Sequence, residues 1–402
     1  MVAAMPAPLL LDEALTLVAA IATVFLGRSI NGWVPALRAA SIPPAVTGGV
    51  AVSLLLTAAF LAGGWSVGFA GGARGVLLLA FFGSIGLSTR LGQLVRGGWR
   101  LGVFAAILAL IITCQDLLGM GLARLFGLDA RLGLFAASIP FVGGHGTVAA
   151  WAQAAPAQGL AGAMEVGMAC ATFGLVLGGL VGGPVATLLM RWARPATAEV
   201  ASAAAIAPRP PHVEEQASDR YLVAAMALAG CVVLGGWLAA LLARLGVTIP
   251  GFLCAMIAGV IIATLADALR RPLDREASEL FGTMALRVFL AMSLMGLRLW
   301  ELSEHALFLV TALVLQTTLV AAAAALLVFP LLGRSRDSAA LAGATIGFGL
   351  GATPVAMGIL RRLEARFGPA PMALLLATLA VSFVVDYLNA GVIQFCFWWA
   401  GR

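Results

Sequence analysis

The stretch FVGGHGTVAAW, residues 141–151, sets three glycines, a histidine and a threonine inside an apolar run. Its surroundings make the interruption expensive. The chain has 402 residues, 62% hydrophobic and 10% charged, and apolar runs of roughly 20 residues recur along it, each long enough to cross a hydrocarbon core. In hydrocarbon a backbone N–H or C=O freed by a helix break costs several kcal/mol unless it is buried in protein, lines a cavity or meets a ligand. A second stretch, GFGLGATP (347–354), breaks another apolar run in the same way. Neither half of segment 131–155 or of segment 339–359 is long enough to span, so both read as re-entrant hairpins. Thr353 would cap the returning helix of the second, with Pro354 as its first residue, and Thr147 would cap that of the first.

Hydropathy places full spans near 9–27, 44–62, 75–89, 101–122, 162–190, 221–243, 249–266, 282–299, 306–330 and 371–398. No polar stretch is long enough for a soluble domain, so function belongs inside the bilayer. All 24 basic residues are arginine, and they concentrate in short loops, where they report topology rather than nucleic-acid binding. One set of span ends has Arg28, Arg38, Arg90, Arg96, Arg100, Arg191, Arg194, Arg209 and Arg220 in the first half. The second half continues it with Arg270, Arg271, Arg275, Arg334, Arg336, Arg361, Arg362 and Arg366. The opposite set has only Arg74, Arg124, Arg131, Arg244, Arg298 and Arg402. This asymmetry puts the first set in the cytoplasm and both termini outside. Asp12 and Glu13, with no basic residue before them, make the first twenty residues a first span rather than a signal peptide. Cys114, Cys170, Cys231, Cys254 and Cys396 have neither disulfide nor metal-site spacing and read as packing residues.

The halves match at an offset of 206–210 residues: SIPPAVTGGV (41–50) with TIPGFLCAMIAGV (248–260), FFGSIGLS (81–88) with MSLMGLRL (292–299), GGHGTVA with GLGATPVA, and the last spans through Gly183 and Gly391. Five spans per half invert the second relative to the first. The expected fold is an all-α integral membrane protein of two inverted-topology repeats, each of five transmembrane helices with a glycine-broken re-entrant hairpin. The N-terminal repeat covers 1–193 and the C-terminal repeat 221–402, joined by a cytoplasmic linker, 194–220, rich in Pro, Ala and charge.

Half-helix N-termini meeting at the midplane would present N–H groups and partial positive charge to a carboxylate. The substrate-binding candidates are therefore Gly143, Gly144, His145, Gly146 and Thr147 in the first hairpin, with Gly349, Gly351, Ala352, Thr353 and Pro354 in the second. Lone His145 fits a hydrogen bond within its hairpin as well as it fits substrate contact. Carbonyls exposed at the breaks could replace the hydration shell of a small cation. Asp386 and Asn389, three apart on one face of the last span, are cation candidates, with Gln115 and Asp116. Asp116 and Glu165 sit toward span ends, which suits an interfacial position. Arg287 and Arg298 read as snorkelling side chains.

GGHGT (143–147), MACATFGLVLGGLVGGPVA (168–186), FLAMSLMGL (289–297), GFGLGATP (347–354) and the DxxN of the last span resemble the bacterial sodium:glutamate symporter family, in that order and across nearly the whole chain. The resemblance implies a homodimeric carrier of the inner membrane that takes up L-glutamate, or a related small carboxylate, with sodium as coupling ion and no other cofactor. It also implies that the hairpin-bearing part moves against a dimerising scaffold. The chain departs from the family pattern at SIPPA (41–45), which lacks the usual acidic residue, and at Ser88, Val355 and Ile359. Asp116 stands where an uncharged residue is expected.

Other functions fit less well. An intramembrane enzyme needs a nucleophile with its base, or a metal constellation, and His145 has no evident Ser or Asp partner in sequence. A proton-coupled carrier, or a carrier of another carboxylate, shares the architecture, and a passive channel is separated from a carrier by flux that saturates and shows counterflow, inverted broken repeats favouring alternating access. The inverted arrangement predicts that cysteines placed at Ser202 and near the C-terminus label from opposite sides of the membrane. Labelling of both from one side would contradict it.

Overall fold

Long apolar sequences in a bilayer form helices because the backbone can then bond only within itself. The computed structural model describes residues 9–35, 37, 42–89, 98–153, 159–193, 214–244, 249–271, 273–297, 305–383 and 385–400, without the side chains at 214–218, 352, 354 and 381–383. In the first half the helices are α1 (Glu13–Trp33), α2 (Pro44–Gly63), α3 (Gly72–Ser88), α4 (Gly98–Leu125), three short pieces α5 (Ala130–Leu134), α6 (Ser138–Phe141) and α7 (Gly144–Ala152), and α8 (Ala163–Met190). The second half has α9 (Glu214–Arg244), α10 (Gly251–Ala268), α11 (Arg275–Leu294), α12 (Ala306–Ala323), α13 (Phe329–Leu331), α14 (Arg336–Phe367), α15 (Pro371–Phe383) and α16 (Val385–Ala400). A π-helical stretch, Ala324–Val328, joins α12 to α13. Strands β1 (Leu9–Leu11) and β2 (Val67–Phe69) pair in parallel.

Among the described residues, eight helices are long and apolar enough to cross a membrane, and the bent pair α15 and α16 makes a ninth if it is one span. This is a multi-pass membrane protein. Ten spans were expected, and α3, with 17 residues, is the one that falls short. Helix α9 already begins at Glu214, inside the 194–220 stretch, and residues 194–213 lie outside the described ones.

The chain forms two compact units, Met1–Thr89 with Pro211–Glu304, and Arg90–Pro210 with His305–Arg402. Each is assembled crosswise, from segments of both sequence halves. In the first unit α3 is central and packs against α9, α10 and α11, while α1 packs against α2 and α11. Acidic residues near the N-terminus serve as caps here. Asp12 Oδ1 accepts from Leu15 N at 2.8 Å, and the Glu13 carboxylate accepts from Gly72 N at 2.7 Å and Ala73 N at 3.1 Å, closing the first turn of α3. Ser53 Oγ donates to Leu297 O at 2.9 Å, a buried link from α2 to the end of α11.

Small residues set the helix spacing, since lipid tails give apolar faces little reason to prefer one another and close van der Waals contact decides the pairing. At the α3–α10 crossing, a Cβ placed on Gly259 would lie 2.8 Å from Leu87 N and 2.9 Å from Gly86 Cα, backbone atoms that cannot move aside. Gly259→Val is therefore expected to destabilise the first unit by about 1–3 kcal/mol, the usual cost of overpacking. Thermal unfolding in detergent checks this, with Gly236→Ala, whose added Cβ meets nothing within 4 Å, as the neutral comparison.

Candidate functional site

The second unit contains both glycine-broken segments, and its central element is α8. The glycines of α8 lie along the surfaces that the broken segments occupy. A Cβ on Gly167 would meet Val148 and Phe135 of the first segment, whereas one on Gly174 would meet Phe141 of the first and the Leu350 carbonyl of the second. Gly178 lies against Leu350, Gly351 and Val355, and Gly182 against Gly343 and Ile359. The two broken segments thus meet on α8 at Gly174.

The first segment is interrupted twice. Residues 135–137 form a turn between α5 and α6, and the chain turns again at Val142–Gly143 before α7, where Gly144 has φ +70°. Only glycine adopts that left-handed backbone without steric cost. Thr147 does not cap α7 as expected. Gly143 holds the N-cap position, and the Thr147 hydroxyl donates back to Gly143 O at 2.9 Å from within the helix.

The second segment shows another kind of reversal. Residues Arg336–Phe367 carry helical backbone on both sides of Gly351, with no separate non-helical residue at Thr353 or Pro354 to set off the second arm. The chain nevertheless doubles back. A Cβ on Gly347 would lie 2.5 Å from Ala356 Cα, although residues nine apart in a straight helix are about 13.5 Å apart. The arm before the reversal runs antiparallel to α8, Gly343 beside Gly182 and Leu350 beside Gly174. The arm after it runs parallel, Val355 beside Gly178 and Ile359 beside Gly182. Gly351 is at the reversal, where an added Cβ would come within 3.1 Å of Leu175 Cα.

Backbone groups freed at these turns are met by side chains from neighbouring helices. Asp116, fully buried in α4, accepts from Ser138 N at 3.1 Å through Oδ1. Asp116 is not exposed at a span end: its carboxylate is buried in the unit and serves a broken segment. Asn389 Nδ2 of α16 donates to Ser138 O at 3.4 Å. Gln115 Nε2 donates to Gly349 O at 2.9 Å, and Gln316 Nε2 of α12 donates to Gln115 O at 2.9 Å and Ala136 O at 3.3 Å. A glutamine from a first-half helix thus holds the second broken segment, and one from a second-half helix holds the first.

These donors leave oxygens unused. Among the described residues, Gln115 Oε1, Asp116 Oδ2, Ser138 Oγ, Gln316 Oε1 and Asn389 Oδ1 are buried without a hydrogen-bond partner, on residues at most 2% exposed. Buried, unpaired oxygens on residues that bond the broken segments, one of them a carboxylate, suit a small hard cation, which replaces water with oxygen ligands. Gln115, Asp116 and Asn389 were cation candidates from sequence. Ser138 and Gln316 were missed, though a lone glutamine in the apolar run of α12 is a signal that intramembrane polarity provides. Asp386, half-buried one turn before Asn389, makes no hydrogen bond to the described residues.

His145 pairs with a side chain of α8 rather than within its hairpin. It is 6% exposed, and its Nε2 lies 3.0 Å from Thr172 Oγ1 of α8. The Thr172 proton goes to Met168 O at 2.8 Å, so Thr172 accepts from His145 and the ring carries its proton on Nε2. Glu165 is half-buried in the first turn of α8. The side chains of Ala352 and Pro354 lie outside the described residues, and Thr353 is half-buried.

A helical membrane protein that gathers broken helices and unpaired buried oxygens in one unit has the makings of a solute carrier. The comparisons agree. The Sodium/glutamate symporter family model matches residues 9–369. The Sodium/glutamate symporter of Escherichia coli (strain K12) is 40% identical over 393 residues, covering 96% of this chain and 97% of that protein. The protein of the same name from Shigella flexneri matches equally, and that of Haemophilus influenzae is 34% identical over 389 residues, 95% of this chain and 96% of its own length. This chain belongs to the sodium/glutamate symporter family, a family of transporters rather than enzymes.

If the two turns define the site, glycine replacement there is felt in function before it is felt in membrane insertion. Gly144→Val and Gly351→Val are expected to abolish transport with protein still in the membrane, the first through a backbone strain of about 1–2 kcal/mol and the second through the clash with Leu175. Gly358→Ala, whose Cβ enters open space, is expected to transport normally. Uptake normalised to membrane-inserted protein is the measurement.

Proposed function

We propose that this chain is the carrier through which L-glutamate enters the cell together with sodium, by alternating access. Five buried, unpaired side-chain oxygens beside the broken segments carry this reading. Asp116 supplies the charge that holds sodium, with Ser138 and Asn389 as neutral oxygen ligands beside it. Gln115 and Gln316 keep the broken segments in place around them. The substrate carboxylates bind the N–H groups at the start of α7, from Gly144 to Gly146, and the reversal at Gly351–Thr353.

Around this site the reading extends to the larger assembly. The two halves are inverted repeats, both broken segments re-enter the membrane, and the unit that bears them moves as an elevator against a scaffold within a homodimer. The protein resides in the inner membrane with both termini periplasmic. The family resemblance and the arginine asymmetry support these points.

The test is uptake of labelled glutamate into proteoliposomes under imposed sodium or proton gradients, with direct binding measured in parallel. A sodium gradient is expected to drive accumulation. Drive by protons alone would make the chain a proton-coupled carrier instead. Asp116→Asn keeps the shape but removes the charge, and is expected to raise the sodium concentration for half-maximal uptake by at least about tenfold, the equivalent of losing a charged interaction. Asp386→Asn is expected to raise it less. Wild-type sodium dependence in Asp116→Asn would move the cation site elsewhere.

A further inference from the structure

A cavity of about 610 Å³ opens beside α8 and the second arm of α14, away from the oxygen cluster. Arg191, Arg362 and Arg366 line it. Arg191 directly follows α8, and Arg366 is in the last turn of α14, so the guanidinium groups gather where two parallel helices end. Among the described residues none of the three forms an ion pair. Arg366 lies over the Phe367 ring at 5.2 Å, a contact that leaves its charge uncompensated. Two helix C-termini contribute about half a negative charge each, so the end of the cavity keeps a net charge of about +2.

Apart from Thr187, whose hydroxyl is spent on Gly183 O, the rest of the cavity is apolar. Leu188, Ile359 and Leu363 form walls, and its floor is the α8 surface at Gly179 and Gly183, where an added Cβ would meet nothing within 4 Å. The groove is open, and it lies along a helix that crosses the membrane, with its cationic end at the helix termini. A free amino acid would use the arginines and gain nothing from the groove. A molecule with an anionic head and a long apolar tail uses both.

We infer that this cavity binds an anionic phospholipid, its phosphate held by Arg191, Arg362 and Arg366 and one acyl chain lying in the groove over Gly179 and Gly183. Such a lipid would bridge α8 to the second arm of the doubled-back segment. The size is that of ordinary small-ligand pockets, about 300–1,000 Å³. The charge matches the attraction of anionic headgroups for clustered arginines at a membrane surface.

The test uses the full-length protein in phosphatidylcholine vesicles containing phosphatidylglycerol, with mass spectrometry of the intact protein to count retained lipid. Wild type is expected to retain phosphatidylglycerol over phosphatidylcholine. Arg191→Gln, Arg362→Gln and Arg366→Gln are each expected to weaken retention about fivefold, and the triple variant about 100-fold. Gly183→Leu leaves every charge in place but fills the groove, and is expected to weaken retention too. Loss in only one class of variant, or in neither, overturns the inference. So does displacement of the lipid by millimolar glutamate, which would make the cavity a substrate vestibule. The assay reads lipid and not transport, so its failure is distinct from failure of the sodium–glutamate reading.

Discussion

The second unit depends on one constraint: polar backbone freed in an apolar interior must find a partner. Helix interruptions at 135–137, 142–144 and 351 release carbonyls and N–H groups where there is little water to take them. The partners are few and specific. Asp116 takes Ser138 N, Gln316 takes Ala136 O, and Gln115 takes Gly349 O. The glycine face of α8 lets both interrupted segments come close enough for these bonds to form. Without those glycines the segments could not share one helix, and without the amides and the carboxylate the interruptions would cost more than packing returns.

The same arrangement links binding to shape. Each polar side chain that steadies a broken segment also has an oxygen left over, so a cation at Asp116 would draw on groups already bonded to the backbone of 136–138 and 349. Occupancy would tighten the turns that offer N–H groups to a carboxylate. The crossing of donors between halves gives this coupling a physical route, since what happens at one broken segment is felt through Gln115 and Gln316 at the other. Gln316 donates to the backbone of Gln115 itself, so the two glutamines form one chain of hydrogen bonds.

Much of this was legible in the sequence, because hydropathy and glycine are strong signals in a bilayer. The spans, the two broken segments and three of the five oxygen-bearing residues follow from apolar runs, glycine clusters and intramembrane polarity. The failures have a common origin. Thr147 and Thr353 looked like caps because Thr beside Gly or Pro often begins a helix, but Thr147 bonds back to Gly143, and Thr353 follows a reversal at Gly351 inside one run of helical residues. Local sequence cannot tell a cap from a reversal built by packing against a distant helix. The burial of Asp116 was hidden for a related reason. Distance from the end of a span measures depth only when the helix ends at the membrane surface, and α4 continues to Leu125, nine residues further on. Ser138 gave no signal because serine is common and its importance comes entirely from the carboxylate opposite.

The crosswise assembly of the two units bears on how the protein is made. Helices α1 to α3 reach the membrane first, yet their main neighbours, α9 to α11, are synthesised more than a hundred residues later. The seam where Gly86 meets Gly259 cannot close until the ribosome has passed residue 259. During that interval α1 and α2 can already pack glycine to glycine, through Gly27 and Gly48, but α3 has no partner for Gly83 and Gly86. Neither half of the gene could supply a finished unit alone, so the two halves must stay in step within one chain, and synthesis from the N-terminus yields two incomplete bodies that are completed only as the second half arrives.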